Sequence, residues 1–258
     1  MTAITADGAR FEIGRVIGRS FTVIGSNPVT FIGLAILLTL PYLVFASFGI
    51  FAAGLGMHAA PMFGAPRTMS ALIAGGLVGI IIYYFFNCLL QAAITHGTIV
   101  SLNGGRASFG NCFATGIHHV LPLAAISLLA ALGIIVGFML IVVPGILLGL
   151  MWTVVVPVQV AERTSVIGTF GRSSALTKGY RWQLLGLMII YIVVSLAVTL
   201  VAAPIALLAF NPFVSFTVNG VVRVGLTLLV ATGVASAYYE LRMVKEGIGP
   251  EQLAAVFD

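Results

Sequence analysis

The sequence predicts an all-α membrane protein with six transmembrane helices arranged as three hairpins. Amphipathic interfacial helices are expected on the cytoplasmic side, with both termini inside. Three observations predict this. Of 258 residues, 60% are hydrophobic and 7% charged, where a soluble domain carries about 25% charged residues. Too few charges remain to coat a water-facing surface, so most of the surface must face lipid. The apolar runs reach the length of about 20 residues that a bilayer requires. The basic residues, finally, collect on one side of the membrane once the runs are threaded through it. A single membrane domain over 1–258 is the simplest organisation.

Residues 1–8 read as a short disordered tail, and the N-terminus MTAITADGARFEIGR has acids and no apolar core before Phe21, which is not a signal peptide. Residues 9–27 read as an interfacial helix. Ile13, Val16, Ile17, Phe21 and Ile24 form an apolar stripe, with Arg15, Arg19, Thr22 and Ser26 opposite. A helix packed on other protein fits the same pattern. The first span is expected at about 28–54, followed by a loop with Pro61, Pro66 and Arg67. The second is expected at about 70–102, closed by the turn signal Asn103-Gly104-Gly105-Arg106. Residues 108–119 form a weaker amphipathic segment.

The apolar block from Val120 to Ala161 would be about 60 Å long as one helix, twice the ~30 Å hydrocarbon core. It must therefore be two spans, about 120–142 and 146–162, with Pro144-Gly145 as the hairpin turn. Residues 163–181 are a basic cytoplasmic connector, and the last spans fall at about 182–209 and 220–241, with a turn at Asn211-Pro212 between them.

Charge fixes the orientation. With both termini inside, ten of the 12 basic residues are cytoplasmic, leaving Arg67 and Arg223 outside. Trp182 and Tyr238-Tyr239 suit interfacial anchors on the inner side. The net charge of +5 then points to anionic lipid headgroups as partners, and not to nucleic acid. Cys88 and Cys112 make neither a disulfide framework nor a metal signature.

One short pattern recurs. Gly18-Arg19-Ser20 returns as Gly171-Arg172-Ser173, and without a gap Gly33-Leu34 falls on Gly186-Leu187. Residues 109–123 share the character of these segments. Three units, each an interfacial helix followed by a hairpin, account for this; chance recurrence of so short a match also does.

Asn87, Gln91 and Thr95 make a polar face one helical turn apart inside the second span, extended by Thr98. Such residues serve either as interhelical glue or as a polar pathway. Glu162 is expected to pair with a basic residue of the connector. Arg15, Arg19, Arg163, Arg172, Lys178 and Arg181 are the candidate inner-face ion-pair and headgroup contacts. Arg223 is expected to snorkel to the outer headgroups. Gly75/Gly79, Gly133/Gly137 and Gly145/Gly149 permit close helix approach, within the chain or between copies. His118-His119 point to different faces of a helix, which is poor ligand geometry. No catalytic motif, acid pair, metal site or cofactor site is found.

The motifs around Pro144-Gly145, Pro157, Glu162, Arg172-Ser173, Leu176, Lys178-Gly179 and Trp182, with Tyr239-Glu240-Leu241-Arg242 and Glu246-Gly247 near the end, carry a resemblance. The second half resembles the bacterial family named for the glycerophosphoryl diester phosphodiesterase membrane domain, and the related YciC-like inner-membrane proteins. That family usually has aspartate where Glu240 stands. The first half resembles it by hydropathy alone. The resemblance implies a multi-pass α-helical module of a bacterial inner membrane, with no catalytic residues to carry over.

The function expected from all this is non-enzymatic: a module that organises or senses lipid, or supports an envelope partner or a second copy of itself. A transporter or channel for a small hydrophobic, lipid or peptide substrate is the alternative. A membrane enzyme acting on lipid headgroups ranks third.

Overall fold

The computed structural model describes residues 11–41, 43–44, 69–208 and 212–247, which form helices and no strand. The tail, the outer part of the first span, the loop with Pro61, Pro66 and Arg67, and Asn211 lie outside the described residues. Five helical stretches are long and apolar enough to cross a membrane, or six if the bent pair at the N-terminal end counts as one span.

That pair is α1 (Ile13–Ser26) and α2 (Pro28–Pro41), which meet at 90°. Pro28 explains the corner. It cannot donate a helical hydrogen bond, and it bars the helical conformation from Asn27 before it, which sits at φ −137°, ψ 55°. The buried face of α1 is Val16, Ser20 and Val23, while Phe21 is 60% exposed. The expected stripe is therefore rotated. The alternative reading of α1, as a helix packed on protein, describes this side of it: Ser20 approaches Ser236 and Ile13 approaches Gly186.

Helix α3 (Met69–Leu102) ends where Gly104, at φ +82°, takes up a conformation that favours glycine. Helix α4 (Phe109–Leu140) is one continuous rod of 32 residues. The separate segment expected at 108–119 does not exist. Pro122 lies inside the helix at the expected junction and does not break it.

The hairpin after α4 turns at Ile141, which is extended at φ −161°, and not at Pro144-Gly145. Pro144 is the third residue of α5 (Val142–Met151), where its missing N–H has no helical partner to lose. Gly145 instead lets the helices touch. A Cβ on Gly137 would stand 2.9 Å from the Gly145 Cα, and one on Gly133 would stand 2.6 Å from the Trp152 ring. These glycines thus serve contacts within the hairpin. The fourth span is itself broken, continuing as α6 (Val155–Glu162). Pro157 stands third in α6 as Pro144 does in α5.

At that break the Val155 N–H bonds to Trp152, leaving the Met151 carbonyl to others. Helix α7 (Val166–Thr177), the expected connector, supplies the partners. Ser173 donates to the Met151 carbonyl at 2.8 Å and Thr177 at 3.4 Å. Thr169 donates to Gln159 at 2.6 Å. Ser165 caps α7 by accepting from the Gly168 N–H. The basic, partly amphipathic connector is thus a helix with a buried hydroxyl face.

Helix α8 (Arg181–Leu208) is the least covered, with only 17% of its apolar window buried, which leaves a broad face for lipid. Helix α9 (Pro212–Glu246) is longer than the expected span and reaches into the charged end of the molecule. The offset that aligns Gly18 with Gly171 also aligns the starts of α1 with α7 and of α2 with α8. Ser20 and Ser173 are both fully buried, and Leu34 and Leu187 nearly so. The segment 109–123 does not share this plan, because α4 runs through it unbroken.

Candidate functional site

Helices α3, α6 and α9 enclose a cleft of about 270 Å³. Asn87, Gln91 and Thr95 recur at every fourth residue of α3 and so share one helix face, and that face lines the cleft. Gln91 Nε2 donates to Asn87 Oδ1 at 2.8 Å. This single bond leaves the Asn87 amide N–H groups and the Gln91 carbonyl with unused capacity. Thr227 of α9 adds a hydroxyl from the opposite side. The remaining walls are apolar, including Val156, Val230 and Val234. No charged side chain among the described residues lines the cleft.

A much smaller space of about 20 Å³ adjoins it and shares Asn87 and Thr227. Arg223 lies there with its guanidinium 4.9 Å from the centre of the Tyr83 ring. Arg223 thus stacks on an aromatic neighbour in its own bundle.

The second polar region surrounds the C-terminal end of α9. Two stripes on this helix face different neighbours. Ser236 and Glu240 face α1. Glu240 is fully buried and takes Arg19, with Arg15 at 3.2 Å. Arg19 also lies over the Tyr239 ring at 5.1 Å. Tyr238, Arg242 and Glu246 face α6 and α7. Tyr238 donates to Glu162 at 2.9 Å, Arg242 donates to Glu246 at 2.9 Å, and Arg172 bonds Glu162 at 2.7 Å while also pairing with Glu246. The hydrogen bond that Arg172 donates to Glu162 raises the Arg172 pKa further above its ordinary value, against the opposing pull of burial. Arg19 and Arg172, equivalent in the recurring Gly-Arg-Ser pattern, thus both pair with acids on α9.

The candidate residues therefore divide. Glu162 is paired with Arg172 of the former connector. Arg15 and Arg19, expected at inner-face ion pairs or lipid headgroups, pair with Glu240, whose buried carboxylate needs a compensating charge. Tyr238 and Tyr239, expected as interfacial anchors, are buried beneath these pairs; Trp182 is 82% exposed. Arg163 and Lys178 are exposed, the first ending α6 at φ 47° and the second ending α7. Arg181 begins α8, half-buried. His119 bonds the Thr115 carbonyl of its own helix. Among the described residues no group of three or more His, Cys, Asp or Glu is placed to hold a metal ion.

Sequence reasoning missed Thr227 as the far wall of the cleft and Glu240, Arg242 and Glu246 as the centre of the charge cluster. The signals were present. Thr227 interrupts an apolar run, and Tyr238, Arg242 and Glu246 recur at every fourth residue of a helix.

No family profile, no curated protein and no solved structure matches this chain. The resemblance of its second half rests on the sequence motifs alone.

Proposed function

We propose that this chain is a non-enzymatic, multi-pass module of a bacterial inner membrane that binds lipid laterally in the cleft between α3, α6 and α9. The observation that carries this reading is the pair Asn87–Gln91. It places unused hydrogen-bonding capacity at the wall of an otherwise apolar cleft of about 270 Å³. Polar groups within membrane helices are costly unless they meet a partner. The exposed apolar face of α8 and the exposed Arg163, Lys178 and Trp182 fit a six-span orientation with both termini inside.

The test is native mass spectrometry of the gently extracted protein. A lipid at one per chain should be retained, and Asn87→Leu/Gln91→Leu should lose it. Equal retention in the double variant refutes the reading.

One observation favours transport as the second reading. Asn87 and Thr227 line both the cleft and the adjoining space beside Arg223, so polar groups continue along α3 and α9. Flux of a cleft ligand in reconstituted vesicles, abolished by Asn87→Leu, would replace binding by transport. Vesicles with no flux leave binding as the function.

A further inference from the structure

We propose that the cleft takes the hydroxyl-bearing head of an uncharged amphiphile of the monoacylglycerol type. This rests on the lipid-binding reading above and names its ligand class.

The hydrogen-bond complement comes first. After the Gln91–Asn87 bond, the pair offers N–H donors and a carbonyl acceptor. Exchanging the oxygen and nitrogen of both amides leaves the same complement. A hydroxyl both donates and accepts, so it satisfies both sides. A carboxylate only accepts and an ammonium only donates, and either leaves one protein group unpaired inside the cleft.

Charge gives the second argument. The cleft wall holds no cation or anion among the described residues. The neighbouring guanidinium, Arg223, lies across a space of about 20 Å³, room for about one water. Arg223 lines that space and not the cleft itself. An anion would therefore sit against valines with its charge uncompensated, a costly placement in an apolar medium.

Size gives the third. The cleft of about 270 Å³ holds about nine groups the size of a water molecule. That is the scale of a glycerol ester head, not of a whole lipid. The acyl chain must leave along an apolar wall, and Val230, 38% exposed, stands at such an exit.

The experiment uses the full chain in micelles of a detergent that carries no hydroxyl. 1-Monooleoylglycerol and oleate share a chain and differ in the head, and each is titrated by native mass spectrometry. One monooleoylglycerol per chain is expected, with oleate at least about tenfold weaker, the effect of one or two net hydrogen bonds. Asn87→Leu/Gln91→Leu should weaken monooleoylglycerol by about tenfold or more. Val230→Trp, which narrows the cleft without touching the amides, should weaken it too, and it decides the matter if the double variant fails to fold. Oleate binding as tightly as monooleoylglycerol, and lost in Val230→Trp, overturns the uncharged class but leaves the lipid site standing. Monooleoylglycerol binding that neither variant changes, or no binding at all, overturns the site itself.

Discussion

The two polar regions of α9 hold their polar groups in opposite ways. Around Glu240, each carboxylate meets at least one guanidinium: Glu240 takes Arg15 and Arg19, and Glu162 and Glu246 share Arg172 with Arg242 beside them. The pairs are largely shielded and leave little for a ligand to use. The cleft wall beside Thr227 carries no charge among the described residues, yet Asn87 and Gln91 keep donors and an acceptor there that no protein group takes up. The charged cluster ties α1, α6 and α7 to α9, whereas the neutral amides keep the hydrogen-bonding capacity on which the proposed lipid binding rests. Their difference follows from cost. An unpaired buried charge costs several kcal/mol, whereas a hydrogen bond of a neutral side chain within a membrane contributes only about 0.6 kcal/mol on average, so an amide tolerates partial satisfaction.

Substitutions test this contrast directly. Glu240→Ala should have the largest effect, because it leaves Arg19 without its carboxylate and Arg15 with Glu12 alone. The loss should be about 3 kcal/mol, the low end for a broken buried pair, since both arginines keep part of their solvent access. Thermal unfolding in micelles measures it, and an unchanged transition would mean that the cluster does not clamp α1 to α9. Glu162→Gln should follow at about 1–2 kcal/mol. It weakens the Arg172 contact but keeps a group that can accept from Tyr238. The smallest effect belongs to Asn87→Leu, at under about 1 kcal/mol, since it removes one hydrogen bond within α3, and even a bond between membrane helices averages about 0.6 kcal/mol. A loss as large as that of Glu240→Ala would make the amide pair packing glue and end the contrast.

Much of the fold was legible in hydropathy. The second span was read at 70–102 and α3 runs Met69–Leu102; the fifth was read at 182–209 and α8 runs Arg181–Leu208. The corner before α2 was legible too, because Pro28 ends one helix and opens the next. The hairpin turn was misplaced at Pro144 because a proline was taken as the turn itself. Prolines fit the first turn of a helix, so the break precedes them. The faces of α1 were misread for a different reason. Its arginines were placed opposite the apolar stripe, toward the membrane interface, and their partner Glu240 lies more than two hundred residues away along the chain.

The cleft shows the same division. The spacing of Asn87, Gln91 and Thr95 put them on one helix face, since every fourth residue of a helix shares a side. What that face meets was decided only when α9 packed beside α3 and brought Thr227 and Val230 opposite it. By itself, the sequence determined the helical class, the apolar stretches and the polar face within them, because these depend on composition and on local periodicity. Tertiary structure alone decided that Arg15 and Arg19 meet Glu240, where the fourth span breaks and which walls close the cleft. Those depend on contacts between residues far apart in the chain, and no local period encodes them.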